Sequence, residues 1–411
     1  MAKGKTKSAK ALTSRALSAA LAFLALNFAI PGFTQITKDS GKKTISGDLI
    51  QRSLNDAVST LQASRRDLKG DPVVLIGSSL VMAPIWSADV AHGHCFKDCL
   101  SHHLSQHLAD KMFADGVNKD AISLATPGQF VSDTYLIVDK YLKDNTKADI
   151  LIYGVAPRDF MDDTTGGLAL TSVFDKLVSL ADLPKVSKLF FNTFDERADF
   201  ILNRSIFLYK KRGRYQNKFQ DSVVRATDKV LGPGKETIAD KPSDDMVGFL
   251  MGGDHDQIWK KSISEYKQRY KYFNAQQFEK QQECFKSLLG LCKERNIKLY
   301  VLAMPLTTDN LNLMPPELYT KYISFVQSAT TAQGFTFVNL QSKGGYTDQD
   351  FYDTVHLNNQ GGERFLSQMD NLVLADKHGL AYNDSILELK PEAKQLAGKP
   401  VKSGKPANPA M

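Results

Sequence analysis

"VVLIGSSLVM", Val73 to Met82, decides how this chain is read. Four apolar residues run into Gly77-Ser78-Ser79, and the chain then turns apolar again. The run reads as a strand buried on both faces, closed by a tight turn that carries two adjacent hydroxyls. Glycine tolerates positive φ and serine hydrogen-bonds its own backbone, so an ordinary turn uses the same residues. A catalytic Ser79 requires a base elsewhere in the chain.

Working outward, four more short apolar runs have the same character: "AISLA" (121–125), "DILIYGV" (149–155), "IKLYVLAM" (297–304) and "FTFVNL" (335–340). Helical spacing precedes the last two. Phe278, Phe285, Leu288 and Cys292 lead into the fourth run, and Leu318, Tyr322, Phe325, Val326 and Ala329 into the fifth. Strands alternating with helices predict an α/β fold, a parallel sheet covered on both faces with ligands at the carboxyl ends of the strands. Right-handed crossovers lead us to expect the order 2-1-3-4-5. Residues 160–275 break the rhythm and read as a mainly helical insertion, with Pro184 as a break and a Gly- and Asp-rich loop at 232–256. A polar linker at 34–70 is expected to hold an amphipathic helix near Leu49 to Leu68. The Lys-, Pro- and Ala-rich tail, 384–411, reads as disordered.

The 411 residues are 42% apolar and 24% charged, which fits a globular chain with a full core rather than a fibrous or disordered one. The net charge of +7 is concentrated at the ends, in Lys3, Lys5, Lys7, Lys10 and Arg15 and in Lys399, Lys402 and Lys405. With no basic stripe and no nucleic-acid motif, no nucleic-acid partner is expected. Behind the basic leader, Ala16 to Phe33 is 18 residues without a charge. That pattern predicts an uncleaved signal anchor spanning a membrane, with the remaining chain outside the cytoplasm. Eight residues separate Cys284 from Cys292 on one predicted helix. They span about 12 Å, too far for a disulfide. Cys95 and Cys99 are close enough in sequence to pair.

The base for Ser79 is found in "DFYDTVHLNNQGGERFL", Asp350 to Leu366. Asp353 and His356 stand three apart, just ahead of a predicted helix, so both side chains reach one side of a turn. Asp353 would hold the imidazole tautomer while His356 takes the serine proton.

Taken together, these stretches resemble the SGNH or GDSL-like hydrolases. "GSSL" (77–80) looks like the nucleophile block, with Ser78 where many members have Asp. "LATPGQFVSDT" (124–134) looks like the second block, and "YGVAPRDF" (153–160) lies where a Gly-x-Asn-Asp block is expected. "DTVHLNNQGGERF" (353–365) resembles the last block closely. The resemblance implies a flavodoxin-like three-layer sandwich over 71–383. It implies Ser79, His356 and Asp353 as the triad, with an oxyanion hole from the N–H groups of Ser79 and Gly128. The third block departs from the pattern, because Arg158 stands where an Asn side chain is expected. Arg158 then replaces that donor, binds an anionic substrate group, marks a weakened site, or pairs with a neighbouring carboxylate.

The anchor and the Gly-Ser-Ser nucleophile narrow the resemblance to membrane-anchored SGNH-like proteins of bacterial surface-polysaccharide O-acylation. That implies a serine esterase or O-acyltransferase acting on an acylated glycan or surface polymer, with a membrane-bound O-acyltransferase as partner and no cofactor. A non-catalytic binding or scaffold protein on the same fold is the alternative.

Two further stretches draw attention. "HGHCFKDCLSHHLSQH", His92 to His107, holds five of the eight histidines. His103 and His107 are four apart on a predicted helix, a spacing able to bind zinc, but no clean metal-finger spacing appears. We read the stretch as a polar loop and helix face and assign no metal ligand. "FLYKKRGRYQNKF" (207–219) mixes aromatics with five basic residues, and suits either a solvated helix end or contact with an anionic polymer or lipid.

Overall fold

The structure is a computed structural model that describes residues 48–67, 72–94, 99–143, 148–162, 164, 166–205 and 254–388. The expected anchor (16–33), Cys95, the basic stretch 207–219 and the tail beyond 388 lie outside the described residues. The chain divides into two compact units. One is formed by 46–178 with 243–411, and the other includes 179–205.

In the first unit α1 (Asp48–Asp67) precedes β1 (Val73–Gly77), α2 (Ser79–Ala91), α3 (Gln106–Ala114), β2 (Ala121–Ser123) and α4 (Val131–Tyr141). Then come β3 (Ile150–Val155), the single turn α5 (Arg158–Met161) and α6 (Ser172–Leu177). The second unit contributes α7 (Leu183–Phe190) and α8 (Phe194–Ser205). The first resumes with α9 (His255–Arg269), α10 (Ala275–Glu294), β4 (Lys298–Ala303), α11 (Thr308–Leu311) and α12 (Pro316–Ala332). It closes with β5 (Thr336–Asn339), α13 (Leu340–Lys343) and α14 (Asn359–Lys377).

The five strands form one parallel sheet in the order β2-β1-β3-β4-β5. Helices flank it in a three-layer α/β sandwich, with α2, α3 and α14 packed together in one layer and α4 and α10 in the other. β1, β2 and β3 are buried throughout, as their unbroken apolar runs require. β5 differs from the expected burial on both faces: only Val338 is fully buried.

The chain leaves β1 towards β2 on one side, while β3 lies on the other. Such a switch point opens a crevice at the carboxyl ends of the strands, and Ser79 follows β1 at that place. Gly77 makes the tight turn possible. Its φ is +153°, and a Cβ there would lie 2.5 Å from the Gly154 carbonyl oxygen and 2.6 Å from Val81 Cγ2. A second close approach seats α14 on α2. A Cβ on Gly362 would lie 2.6 Å from both the Pro84 carbonyl oxygen and Ser87 Oγ. The helix that follows the Asp353–His356 turn is thereby pressed onto the helix that begins with Ser79.

Candidate active site

Ser79 is the first residue of α2, and Ser78 is its N-cap with extended backbone and no side-chain cap bond. First-turn N–H groups of a helix lack intrahelical partners and carry the positive end of its dipole. The Ser79 hydroxyl therefore sits where developing negative charge is favoured.

His356 Nε2 lies 2.8 Å from Ser79 Oγ, and its Nδ1 lies 2.7 Å from Asp353 Oδ2. Oδ1 of Asp353 accepts the backbone N–H groups of Val355 and His356, each at 2.8 Å. A carboxylate on Nδ1 keeps the proton on that nitrogen and leaves the Nε2 lone pair facing the serine hydroxyl. Burial works to raise the Asp353 pKa, but the neighbouring imidazole and the two N–H donors outweigh it and hold the carboxyl below its ordinary range.

The loop is held from several sides. Tyr352 N–H donates to the His356 carbonyl at 2.8 Å, and Phe351 bridges Leu357. Asn358 caps α14 through the N–H groups of Gln360 and Gly361. The Thr354 carbonyl accepts from the N–H and hydroxyl of Thr307, at 3.2 and 3.0 Å. The Thr354 hydroxyl meets Ser262 Oγ at 2.5 Å and accepts from Asn310 Nδ2 at 3.1 Å. Ser262 lies on α9, so part of the expected insertion buttresses the loop that holds the imidazole.

The turn after β2 runs beside the nucleophile turn, since Leu124 and Thr126 donate their N–H groups to the carbonyls of Leu75 and Gly77. Gly128 there has φ +68°, a left-handed conformation that favours glycine. Its N–H makes no hydrogen bond among the described residues. Arg158 is buried against this turn. Its Nη2 donates to the Gly128 carbonyl at 2.9 Å, and its guanidinium lies 4.9 Å from the centre of the Phe130 ring. Nε and Nη1 face Asp162 and Asp159 at 3.3 and 3.4 Å, and Nη1 also faces the Gln129 carbonyl at 3.5 Å.

Four N–H directions of the guanidinium are thus engaged, of the five available. Of the roles open to Arg158, this geometry matches the salt-bridged one. The side chain fixes the carbonyl of Gly128 instead of being aimed wholly at a substrate. Burial pushes the Asp159 carboxyl up to about 7 against the pull of Arg158. Asp162 is held below its ordinary range, because Thr164, Arg158 and Arg269 together overcome the effect of burial.

Several of these residues had no local signal. Ser262, Thr307, Asn310 and Arg269 reach the site from elements far away in sequence, and no motif surrounds them. The placement of His103 and His107 on one helix is corrected. α3 begins only at Gln106, and His103 precedes Leu104, which bridges Ile122. His103 Nδ1 pairs with the Ser123 carbonyl at 3.1 Å, so the two imidazoles do not share a helical face.

Fold and site define a three-layer parallel α/β protein with a Ser-His-Asp constellation at its topological switch point. Residues 101–374, 274 of the 411, match the family described as "Protein of unknown function (DUF1574)", and the chain belongs to that family. The matched region contains Gly128, Arg158, Asp353 and His356 and begins after Ser79. No curated protein matches the chain. Two sequence expectations find no support here. Among the described residues, which do not include 16–33, no helix is long and apolar enough to cross a membrane. The description of the matching family names no hydrolase or acyltransferase activity.

Proposed function

We propose that the protein forms an acyl-enzyme on Ser79 and passes the acyl group to water or to a sugar hydroxyl. The observation that carries this reading is the continuous hydrogen-bonded chain from Ser79 Oγ through His356 to Asp353. A serine hydroxyl is a poor nucleophile at neutral pH until a base removes its proton as it attacks. His356 takes that proton from Oγ as the bond to the acyl carbon forms. It then returns the proton to the departing oxygen. The N–H groups of Ser79 and Gly128 stabilise the oxyanion. The likeness of four ordered blocks to the SGNH hydrolases supports the same assignment, and the narrower likeness carried by the Gly-Ser-Ser nucleophile and the expected anchor favours an O-acylated glycan as substrate.

A fluorophosphonate probe tests the chemistry. We expect labelling of the wild-type protein that disappears in Ser79→Ala. An unlabelled wild-type protein would end the reading. Product analysis with and without a polysaccharide acceptor then separates transfer from hydrolysis. Arg158, turned to a backbone carbonyl where the resembled block has an oxyanion donor, favours a second reading as a non-catalytic polymer-binding protein. Glycan binding by a protein that resists the probe would support that one.

A further inference from the structure

A second cluster of side chains lies at the far end of α2. His92 follows the last residue of that helix, 13 residues beyond Ser79, which is about 20 Å along the axis. His107 lies in the first turn of α3, and Glu363 near the start of α14. One ring nitrogen from each histidine and one carboxylate oxygen of Glu363 lie within 4.8 Å of one another. Both imidazole nitrogens approach the same carboxylate oxygen, at 3.0 and 2.6 Å. The other oxygen of Glu363 is taken by Lys111 Nζ at 2.7 Å and Ser367 Oγ at 3.3 Å. Those two partners turn Oε2 towards the histidines.

The two rings are stacked, 3.5 Å between centroids and 10° from parallel. The His107 ring is buried. The His107 backbone is fixed as well: its N–H donates at 2.9 Å to Asp89 Oδ1, and the other oxygen of this buried carboxylate pairs with His102 Nε2 at 2.6 Å.

We propose that His92, His107 and Glu363 bind a divalent transition-metal ion of the zinc class, with water completing its coordination. Two neutral imidazole nitrogens and one carboxylate oxygen are a donor set suited to zinc, cobalt, nickel or copper. Zinc-to-ligand bonds of about 2.0–2.2 Å separate tetrahedral donors by about 3.3 Å. The two histidine contacts with Glu363 would open from 3.0 and 2.6 Å towards that separation and the stacked rings would splay to converge on one ion, and His92 and Glu363 are exposed enough to move. The ion would join the end of α2 to α14, tying together the helix that begins with Ser79 and the helix that follows His356. The site does not depend on the serine chemistry.

Tag-free, full-length protein stripped with a chelator and titrated with Co²⁺, then Zn²⁺, tests the site. We expect one Co²⁺ per chain, visible by its d–d absorption and displaced by Zn²⁺. Loss of even an outer-shell partner weakens a metal site by about 10–100-fold. His92→Ala and Glu363→Gln should each weaken binding at least that much, with unchanged circular dichroism. His94→Ala serves as the control, because His94 faces Asp110 at 3.6 Å, outside the cluster, and it should leave affinity unchanged. Affinity should also fall on acidification, as imidazole ligands take up protons. Absence of a stoichiometric ion would overturn the proposal. So would equal affinity in wild type, His92→Ala and Glu363→Gln, which would leave the cluster a hydrogen-bonded His-Glu-His network.

Discussion

Asp353→Asn separates orientation from nucleophilicity more sharply than removal of the serine does. Oδ1 of Asp353 accepts two backbone N–H groups at 2.8 Å each, and Oδ2 faces His356 Nδ1 at 2.7 Å. An asparagine can satisfy both backbone donors only by keeping its carbonyl oxygen in the Oδ1 position. The reverse orientation points an NH2 group at two N–H donors and forfeits two buried hydrogen bonds, about 1 kcal/mol each before desolvation is counted. The amide nitrogen is therefore held against Nδ1, where it donates. The imidazole proton is forced onto Nε2, pointing at Ser79 Oγ, and the base is lost. An aspartate-to-asparagine change of this kind in a serine triad costs about 10⁴-fold in turnover, or about 5.4 kcal/mol of transition-state stabilisation. The assay is the rate of fluorophosphonate labelling, with hydrolysis of an activated ester in parallel. Circular dichroism and thermal unfolding confirm a folded variant. A folded Asp353→Asn protein that reacts within tenfold of wild type would refute the tautomer argument.

Gly362→Ala should destabilise by about 1–3 kcal/mol in chemical denaturation, because the new Cβ meets the Pro84 backbone, which cannot yield. That loss outweighs the helix-propensity gain of about 1 kcal/mol, so a stabilised variant would contradict the packing described for α2 and α14. Thr354→Val keeps the shape but removes the acceptor for Asn310 Nδ2 and the partner of Ser262, and should cost about 1–3 kcal/mol in the same measurement. Unchanged stability would mean that α9 does not buttress the loop. Asp159 binds a proton more tightly in the folded state, with its pKa pushed by burial to about 7 against about 3.9 when unfolded. Its stabilising contribution is complete below about pH 4 and is lost as pH rises through 7. Asp159→Asn should therefore gain in melting temperature relative to wild type between pH 5 and pH 8, and a constant difference would oppose this account.

The parallel sheet was legible because each strand is a short apolar run of its own, and alternation with helical spacing leaves little freedom in topology. The Asp353–His356 pair was legible for a similar reason: three residues of turn hold both partners, so local sequence suffices. Arg158 was only half legible. Its type and position could be read, but not that its guanidinium is engaged by Gly128, Asp159 and Asp162, since those contacts depend on how the β2 and β3 turns lie side by side.

Sequence alone determined the elements and which of them carries each reactive group. Tertiary structure decided what those groups meet. Ser79 and His356 are 277 residues apart, and they touch because β1 ends at the switch point while Gly362 lets α14 settle on α2. His92, His107 and Glu363 converge through the same packing, whereas the helical spacing read for His103 and His107 is broken by where α3 begins. Periodicity and turn chemistry act over a few residues and can be read from the chain. Convergence of side chains from separate helices depends on the angle and depth at which those helices pack, and no stretch of sequence encodes that by itself.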